Sequence, residues 1–353
     1  MATLHDRAVR TFASDNYAGA HPAVVQAIVE ANGGHLAAYG RDIYTQRLQE
    51  IIGRHFGEGA VALPVFNGTG ANVLALQAIL PPWGAAICAN TAHIYTDENG
   101  APERVAGIKL LPVPTPDGKV TPSLIDTEAF GWGDEHRAQP LAVSLTQSTE
   151  VGTVYTAEEI KAVVEHAHSL GMKVHIDGAR LANAAASLGQ PLAAFTRDVG
   201  VDVVSFGGTK NGLVLGEAIV VLDPGVEDAY GLGYLRKMNM QLGSKMRFIS
   251  AQLIALLDED LWLQSATHAN AMAQRLATAV AGLEGVQITR PVQANAVFAR
   301  LPAGVADKLR TSFAFYDWGS EPGAEVRWMC AWDTAAEDVD RFVATLSRLL
   351  SEL

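Results

Sequence analysis

Cysteine is nearly absent from this chain, with two thiols, Cys88 and Cys330, in 353 residues. Two thiols build no disulfide framework, and no cysteine, histidine or carboxylate set stands at metal-ligand spacing, so neither a stapled scaffold nor a metal site is expected. Both cysteines sit in apolar, strand-like runs and read as core thiols. Positive charge is also scarce. Against 38 Asp and Glu stand 26 Lys and Arg, a formal net charge of −12, which argues against a nucleic-acid partner. No uncharged apolar stretch reaches the roughly 18 residues that a membrane helix needs. The first residues, Met1-Ala2-Thr3-Leu4-His5-Asp6-Arg7, mix charges and lack the apolar run of a signal peptide. The expectation is a soluble cytoplasmic protein without membrane contact. Repeats and low-complexity tracts are missing too. At 49% apolar and 18% charged residues, the chain has an ordinary globular balance and the length for two domains.

What is present is a regular alternation of short apolar runs and helical patterns. His21-Pro22 opens a helix that closes at Gly33-Gly34, and Tyr44 to Phe56 repeats apolar residues at helical spacing up to Gly57. Strands are predicted at Val61–Phe66, Ala85–Ala89, Ile108–Leu111, Leu141–Leu145, Lys173–Ile176, Val201–Phe206 and Ala218–Leu222. Between them lie a helix over Ala71–Leu80 and another that starts at the capping box Thr156-Ala157-Glu158-Glu159 and runs to Leu170. Strands separated by helices make βαβ units, hence an α/β fold whose mostly parallel sheet is sandwiched by helices. After Pro224 the pattern changes. Leu235–Leu257 and Leu261–Leu283 read as long helices, followed by strands at Val286–Ile288, Ala296–Arg300 and Val326–Ala331 and a closing helix over Ala335–Leu350. The expected division is a segment 1–40 packing near a small domain, a large domain over 41–250, and a smaller α+β C-terminal domain over 251–353.

Chemistry concentrates at two strand ends. His175-Ile176-Asp177-Gly178-Ala179-Arg180 and Ser205-Phe206-Gly207-Gly208-Thr209-Lys210-Asn211-Gly212 each end an apolar run and break into glycine, with 210 − 177 = 33 residues between Asp177 and Lys210. Carboxyl ends of buried parallel strands are where open α/β sheets bind ligands. An Asp and a Lys converging there suit a pyridine-aldehyde cofactor, pyridoxal phosphate (PLP): the amine forms a Schiff base with the aldehyde, and the carboxylate keeps the ring nitrogen protonated. Asp177 equally suits the cap of a helix starting near Ala179, and a lysine is most often a solvated surface charge. The turn Asn67-Gly68-Thr69-Gly70 joins a strand to a helix and offers backbone N–H groups to a phosphate, with a plain turn as the alternative. His93 falls just past the Ala85–Ala89 strand, where it can stack on a ring or remain a loop histidine. His136 lies in a polar loop and reads as solvated.

These residues together resemble the low-specificity L-threonine aldolases of the PLP fold-type-I group, in the β-eliminating-lyase branch, over nearly the whole chain. The resemblance rests on Ser14-Asp15, Tyr39-Gly40, Asn67-Gly68-Thr69-Gly70-Ala71-Asn72, Ala92-His93, the Asp177-Gly178-Ala179-Arg180 element, Gly208-Thr209-Lys210 and Arg327. It implies that Lys210 carries the cofactor with Thr209 beside it, that Asp177 pairs with the ring nitrogen, that His93 stacks on the ring, and that Gly68 and Thr69 take the phosphate. Arg247 would assist that phosphate from a neighbouring subunit. Ser14, Tyr39, Arg180 and Arg327 would bind the substrate, with Arg180 also near the ring hydroxyl. His136 would be a second active-site histidine, against its bland reading. The implied reaction is retro-aldol cleavage of L-threonine, L-allo-threonine or related β-hydroxy-α-amino acids such as phenylserine, giving glycine and an aldehyde. The base would be His93 or a water held between His93 and His136. The implied assembly is a homodimer or homotetramer with shared sites.

The departures are Asp97 where an aromatic residue is frequent, Asn211 where glycine is commoner, and Thr146-Gln147-Ser148-Thr149-Glu150 in place of Glu-Asn-Thr-His. All three bear on the pocket for the β-substituent. β-Elimination, racemisation or transamination on the same scaffold is the runner-up reaction, and a non-catalytic amino-acid sensor is the reading from another class.

Overall fold

The structure is a computed structural model that describes residues 4–229, 231–319 and 325–353. Its large sheet contains β1 (Val61–Val65), β2 (Gly84–Ala89), β3 (Lys109–Val113), β4 (Gln139–Thr146), β5 (Lys173–Gly178), β6 (Val203–Gly207) and β7 (Glu217–Val221). The strand order is β1-β7-β6-β5-β4-β2-β3, and only β7 runs against its neighbours. Five of these strands are buried at every residue or nearly so, the pattern of a sheet covered on both faces. A second, antiparallel sheet follows, built from β8 (Gln287–Ile288), β9 (Ala296–Arg300), β10 (Tyr316–Asp317) and β11 (Val326–Met329) in the order β10-β11-β9-β8. The mostly parallel sheet with a smaller α+β unit behind it is the architecture expected from the alternation of elements.

The longer helices are α1 (Pro22–Ala31), α2 (Ile43–Phe56), α3 (Gly68–Ile79), α4 (Ala157–Ser169), α5 (Leu181–Leu188), α6 (Arg247–Leu257), α7 (Leu261–Val280) and α8 (Ala336–Ser351). Their starts follow local chemistry. Asp42 caps α2 through Thr45 N–H, Asn67 caps α3 through Gly70 N–H, and Thr156 with Glu159 forms a reciprocal capping box on α4. The single long helix expected over Leu235–Leu257 is not formed. A short helix, Leu232–Met238, ends at Asn239, Met240 adopts φ 62°, and α6 begins only at Arg247. The apolar spacing continues across this break, so hydrophobic pattern alone did not reveal it. What fixes the break is tertiary: the Gln241 side chain turns back to accept the backbone N–H of Phe66 at 2.9 Å, just ahead of the glycine turn.

Two hydrophobic clusters share the chain. The larger packs α1, α2, α3 and α6 against the parallel sheet, and the smaller gathers Phe12, Leu276, Val297, Trp328, Phe342 and Leu346. Helix α7 serves both, with Trp262 and Ala266 in the first and Ala273 to Val280 in the second. A division at residue 250 would cut α6, which belongs wholly to the larger cluster; we place the change within α7. Residues 1–40 also divide. Phe12 stacks on Phe342 with ring centroids 4.7 Å apart, while Val24 of α1 joins the larger cluster. The stretch between them carries Ser14, Asp15 and Asn16 along the seam.

Candidate active site

The carboxyl ends of β5 and β6 are pressed together because two glycines allow it. A Cβ on Gly178 would stand 2.8 Å from the carbonyl oxygen of Ser205, and one on Gly207 would overlap the backbone of Ala179. Without side chains there, the strand ends approach closely enough for Asp177, in register with Ser205, to face the Lys210 turn. The cleft so formed has a volume of about 290 Å³ and is walled by Asn67, Gly68, Thr69, His93, Asp177 and Lys210.

Each wall has a distinct character. Gly68 and Thr69 form the first turn of α3, where unpaired backbone N–H groups and the helix dipole favour an anion. Asp177 accepts the Asn72 side chain at 2.9 Å and the backbone N–H of Ala179 at 3.0 Å. The Ala179 bond closes a local turn and not the helix cap anticipated as an alternative, because the helix begins at Leu181 with Arg180 as its uncapped N-cap residue, and Asp177 still lines the cleft. Lys210 is half-buried, and no carboxylate lies within 4 Å of its amine among the described residues. Burial, with the nearby Arg180 charge, pulls its amine below the usual lysine range. An amine that gives up its proton readily beside an anion cradle and a carboxylate is the donor set that a phosphorylated pyridine aldehyde requires, so the residues present fit PLP.

A chain of polar contacts backs this wall. The Asn72 amide spans Asp177 and Glu98, at 2.9 and 2.8 Å, and Glu98 in turn meets Nδ1 of His93 at 2.9 Å. The Glu98 contact raises His93 above its usual pKa, with burial opposing. Deeper in the sheet, His175 bridges Ser144 and Ser205 at 2.9 Å each and is driven down to about 4 by burial, which keeps it neutral. Glu217, on the reversed strand β7, accepts the backbone N–H of Gly208, and burial lifts its carboxyl to about 7. Glu217 thus anchors the start of the lysine turn.

An outer lobe of about 410 Å³ opens on the same cleft and holds Ser14, Asp97, Glu150, Arg180, Trp318 and Arg327. Arg180 lines this space too, with one edge of its fork engaged by an acid. Its Nε and Nη2 bind both carboxylate oxygens of Asp15 at 2.7 and 3.0 Å, and Asn295 also donates to Asp15 at 3.0 Å. Arg327 is the freer cation. Its guanidinium lies 4.9 Å from the Trp318 ring, its Nε is buried without a partner, and burial with the Arg180 charge brings it down to about 10. The Ser14 side chain caps the adjoining turn by accepting Asn16 N–H.

Three expected residues stand elsewhere in a single chain. His136 is exposed in the loop that enters β4 at Gln139, the amino edge of the sheet. Asp177 pairs with Thr146 at the far end of that strand, 146 − 139 = 7 steps or roughly 23 Å away. Within one chain His136 therefore does not share the cleft. Tyr39, at φ 58° with Lys237 4.9 Å from its ring, and Arg247, at the start of α6, also lie outside both lobes. The structure adds Asp15, Asn72, Glu98, Glu150 and Glu217. Asp15 and Asn72 were inside recognised motifs without a role. Glu98 and Glu217 gave no sequence signal, because their contacts depend on strand register and on a short helix.

Comparison with known proteins agrees with this geometry. The family model of the beta-eliminating lyases matches residues 11–303. The chain is 44% identical to the low specificity L-threonine aldolase of Pseudomonas aeruginosa, covering 93% of this chain and 94% of that one. It is 41% identical to the low specificity L-threonine aldolase of a further Pseudomonas sp., covering 96% and 98%. Among solved structures, a Leishmania major threonine aldolase superposes with a TM-score of 0.91 at 28% identity, over 97% of this chain and all of that one. The Oryza sativa TDC solved with PLP and tryptamine shares the fold at a TM-score of 0.75 and 15% identity, over 97% of this chain and 84% of that one. The chain belongs to the beta-eliminating lyase family, on the branch that holds the low-specificity L-threonine aldolases.

Proposed function

We propose that the protein is a PLP-dependent aldehyde-lyase that cleaves L-threonine and related β-hydroxy-α-amino acids to glycine and an aldehyde. The observation that carries this reading is the half-buried Lys210 amine, in one cleft with the Asp177 carboxylate and the first turn of α3, with the Arg327 guanidinium in the adjoining lobe bound to no carboxylate among the described residues. When bound, PLP supplies an electron sink for the pair released from the amino-acid Cα. The chain's own residues do the rest. Gly68 and Thr69 would hold the phosphate by backbone N–H groups, and Lys210 would supply the amine for the aldehyde. Asp177, oriented by Asn72 and Ala179, would keep the pyridine nitrogen protonated. His93, steadied by Glu98, would pack against the ring.

Arg327 clamps the substrate carboxylate, with Ser14 beside it. Fixing that carboxylate sets the torsion about the N–Cα bond and so decides which bond at Cα is broken, a positioning effect of the kind that accounts for large rate factors. Arg180 supports the clamp through Asp15 and does not make it. Tyr39 and Arg247 are assigned to the site of a second copy of the chain in a dimer or higher assembly. Ile43, Met238 and Met240, near them in sequence, are exposed apolar residues, the kind of residue that suits association.

The test is product identity. Purified holoenzyme given L-threonine should release acetaldehyde and glycine, and L-serine should give no burst of pyruvate and ammonia. Pyruvate from serine without aldehyde from threonine would overturn the aldolase reading. Lys210→Ala should lose both cleavage and the visible absorption of the bound cofactor, and full cleavage by that variant would reject the assignment of Lys210.

A further inference from the structure

Glu150 follows β4 and enters the outer lobe of the cleft beside Lys210, Arg180 and Arg327. Its Oε1 accepts the backbone N–H of His93 at 2.7 Å, while its Oε2 is shut off from solvent with no partner. A buried acceptor left unpaired costs about 1–3 kcal/mol, which leaves this oxygen open to a further donor. The Glu150 side chain lines the lobe in which a substrate held by Arg327 would place its β-substituent.

The other candidates for proton removal are poorly suited. Within one chain His136 stands at the opposite edge of the sheet. His93 binds Glu98 through Nδ1 and holds its proton more tightly than an ordinary histidine, which suits a donor or a stacking ring better than an acceptor. Resting on the aldolase reading above, we propose that Glu150 is the catalytic base that takes the proton of the substrate's β-hydroxyl. In that step the O–H proton passes to Oε2, the C–O bond becomes the aldehyde carbonyl, and the Cα–Cβ bond breaks with its electron pair left on the glycine fragment. Cα then takes up one proton and Glu150 returns its own, so no net proton is gained or lost.

The surroundings support the role. Burial lifts the Glu150 carboxyl to about 7, with the Asp177 charge adding to the rise and the His93 N–H opposing it. Arg180 and Lys210 face it from the β5 and β6 ends, and Arg327 and Asp97 face it across the lobe. Behind it, the Cys88 thiol is pushed up to about 12 and stays neutral. A base with a pKa near the working pH gives the best compromise between ionised fraction and proton affinity. The rate should therefore rise with pH through about 7 as Glu150 ionises.

The test compares wild-type and Glu150→Gln holoenzymes. Cofactor content and glycine affinity, read from the visible spectrum, should be unchanged, as should exchange of the glycine α-proton in D₂O followed by NMR, since none of these involves a β-hydroxyl. Threonine cleavage should fall by about 10²–10⁴-fold and lose its rise near pH 7. Cleavage near the wild-type rate, a persisting rise near pH 7, or a matching loss of glycine exchange would each overturn the proposal. If Glu150→Gln does not load cofactor, Glu150→Asp decides: a displaced acidic limb supports the role and an unmoved one rejects it. A wild-type enzyme that exchanges glycine but yields no aldehyde from threonine would overturn the parent reading instead.

Discussion

Removing Asp15 tests whether the N-terminal segment is structurally part of the site. Asp15 is 1% exposed and Arg180 12%, and they share two hydrogen bonds at 2.7 and 3.0 Å. Arg180 has two further cations for company, Lys210 and Arg327. Asp15→Ala leaves a buried guanidinium without its counter-ion, and breaking such a pair from one side costs about 3–5 kcal/mol. With an unfolding entropy of ~2.1 cal/mol/K per residue, a chain of this length loses about 1.3 °C of melting temperature per kcal/mol, so the drop should be roughly 4–7 °C. Scanning calorimetry of the cofactor-free protein reads this without contribution from ligand linkage. Burial raises the Asp15 carboxyl, but Arg180, Lys210 and Asn295 outweigh it and bring it below the ordinary range. Its contribution is thus fully present above the unfolded carboxylate value of about 4 and is lost only as pH falls through the lower folded value, so scans at pH 6 and 8 should show the same drop. The double variant Asp15→Ala/Arg180→Met should recover most of the loss, because two apolar side chains leave no buried charge. An Asp15→Ala protein melting within about 1 °C of wild type, or a double variant no better than the single one, would refute this account.

Three further outcomes follow from the same geometry. Asn72→Ala removes the only side-chain donor shared by Asp177 and Glu98 among the described residues; Glu98 keeps His93, but leaving the Asp177 Oδ2 acceptor unpaired should cost about 1–3 kcal/mol, read as weaker PLP retention on dialysis with cleavage restored by excess cofactor. Gly207→Ala should lower stability by about 1–3 kcal/mol or more, because its Cβ meets the Ala179 backbone and not a movable side chain, and loss of the cofactor absorbance should accompany it. Glu217 sits at about 7, well above an unfolded glutamate, so between about pH 4.5 and 7 the folded chain keeps a proton that the unfolded chain has released. Stability from this group is therefore lost as pH rises across that window, by up to ~1.4 kcal/mol per unit; Glu217→Gln should flatten that part of the melting-temperature profile.

The fold was legible where local pattern and tertiary packing agree. Buried strands such as Ala85–Ala89 announce themselves as apolar runs, and the capping box at Thr156 marks its helix to the residue. The break at 239–246 was not legible, because Gln241 is held by Phe66 on a distant strand and the apolar period passes through unbroken. Boundaries between the two clusters were hidden for a related reason. Helix α7 has one continuous apolar stripe, and only the structure shows that its two ends serve different cores.

The site divides along the same line. Lys210, Asp177 and the Asn67–Gly70 turn were readable because strand ends and glycine turns are local signals. The acids were not given roles: Asp15 and Glu150 stood in quoted segments but meet Arg180 and His93 from far away in sequence, and Glu98 and Glu217 meet near neighbours only through a short helix and a strand reversal. Those acids also answer a question the composition raises, namely how a chain of charge −12 accommodates a phosphorylated cofactor. Near the cleft, Asp15 is neutralised by Arg180, and Glu150 and Glu217 are pushed to about 7 by burial. Two of the acids therefore carry protons for much of the time near neutrality, and their negative charge is reduced where the anion must sit. Net charge reports on the surface of this protein, while the field inside the cleft is set by burial and pairing.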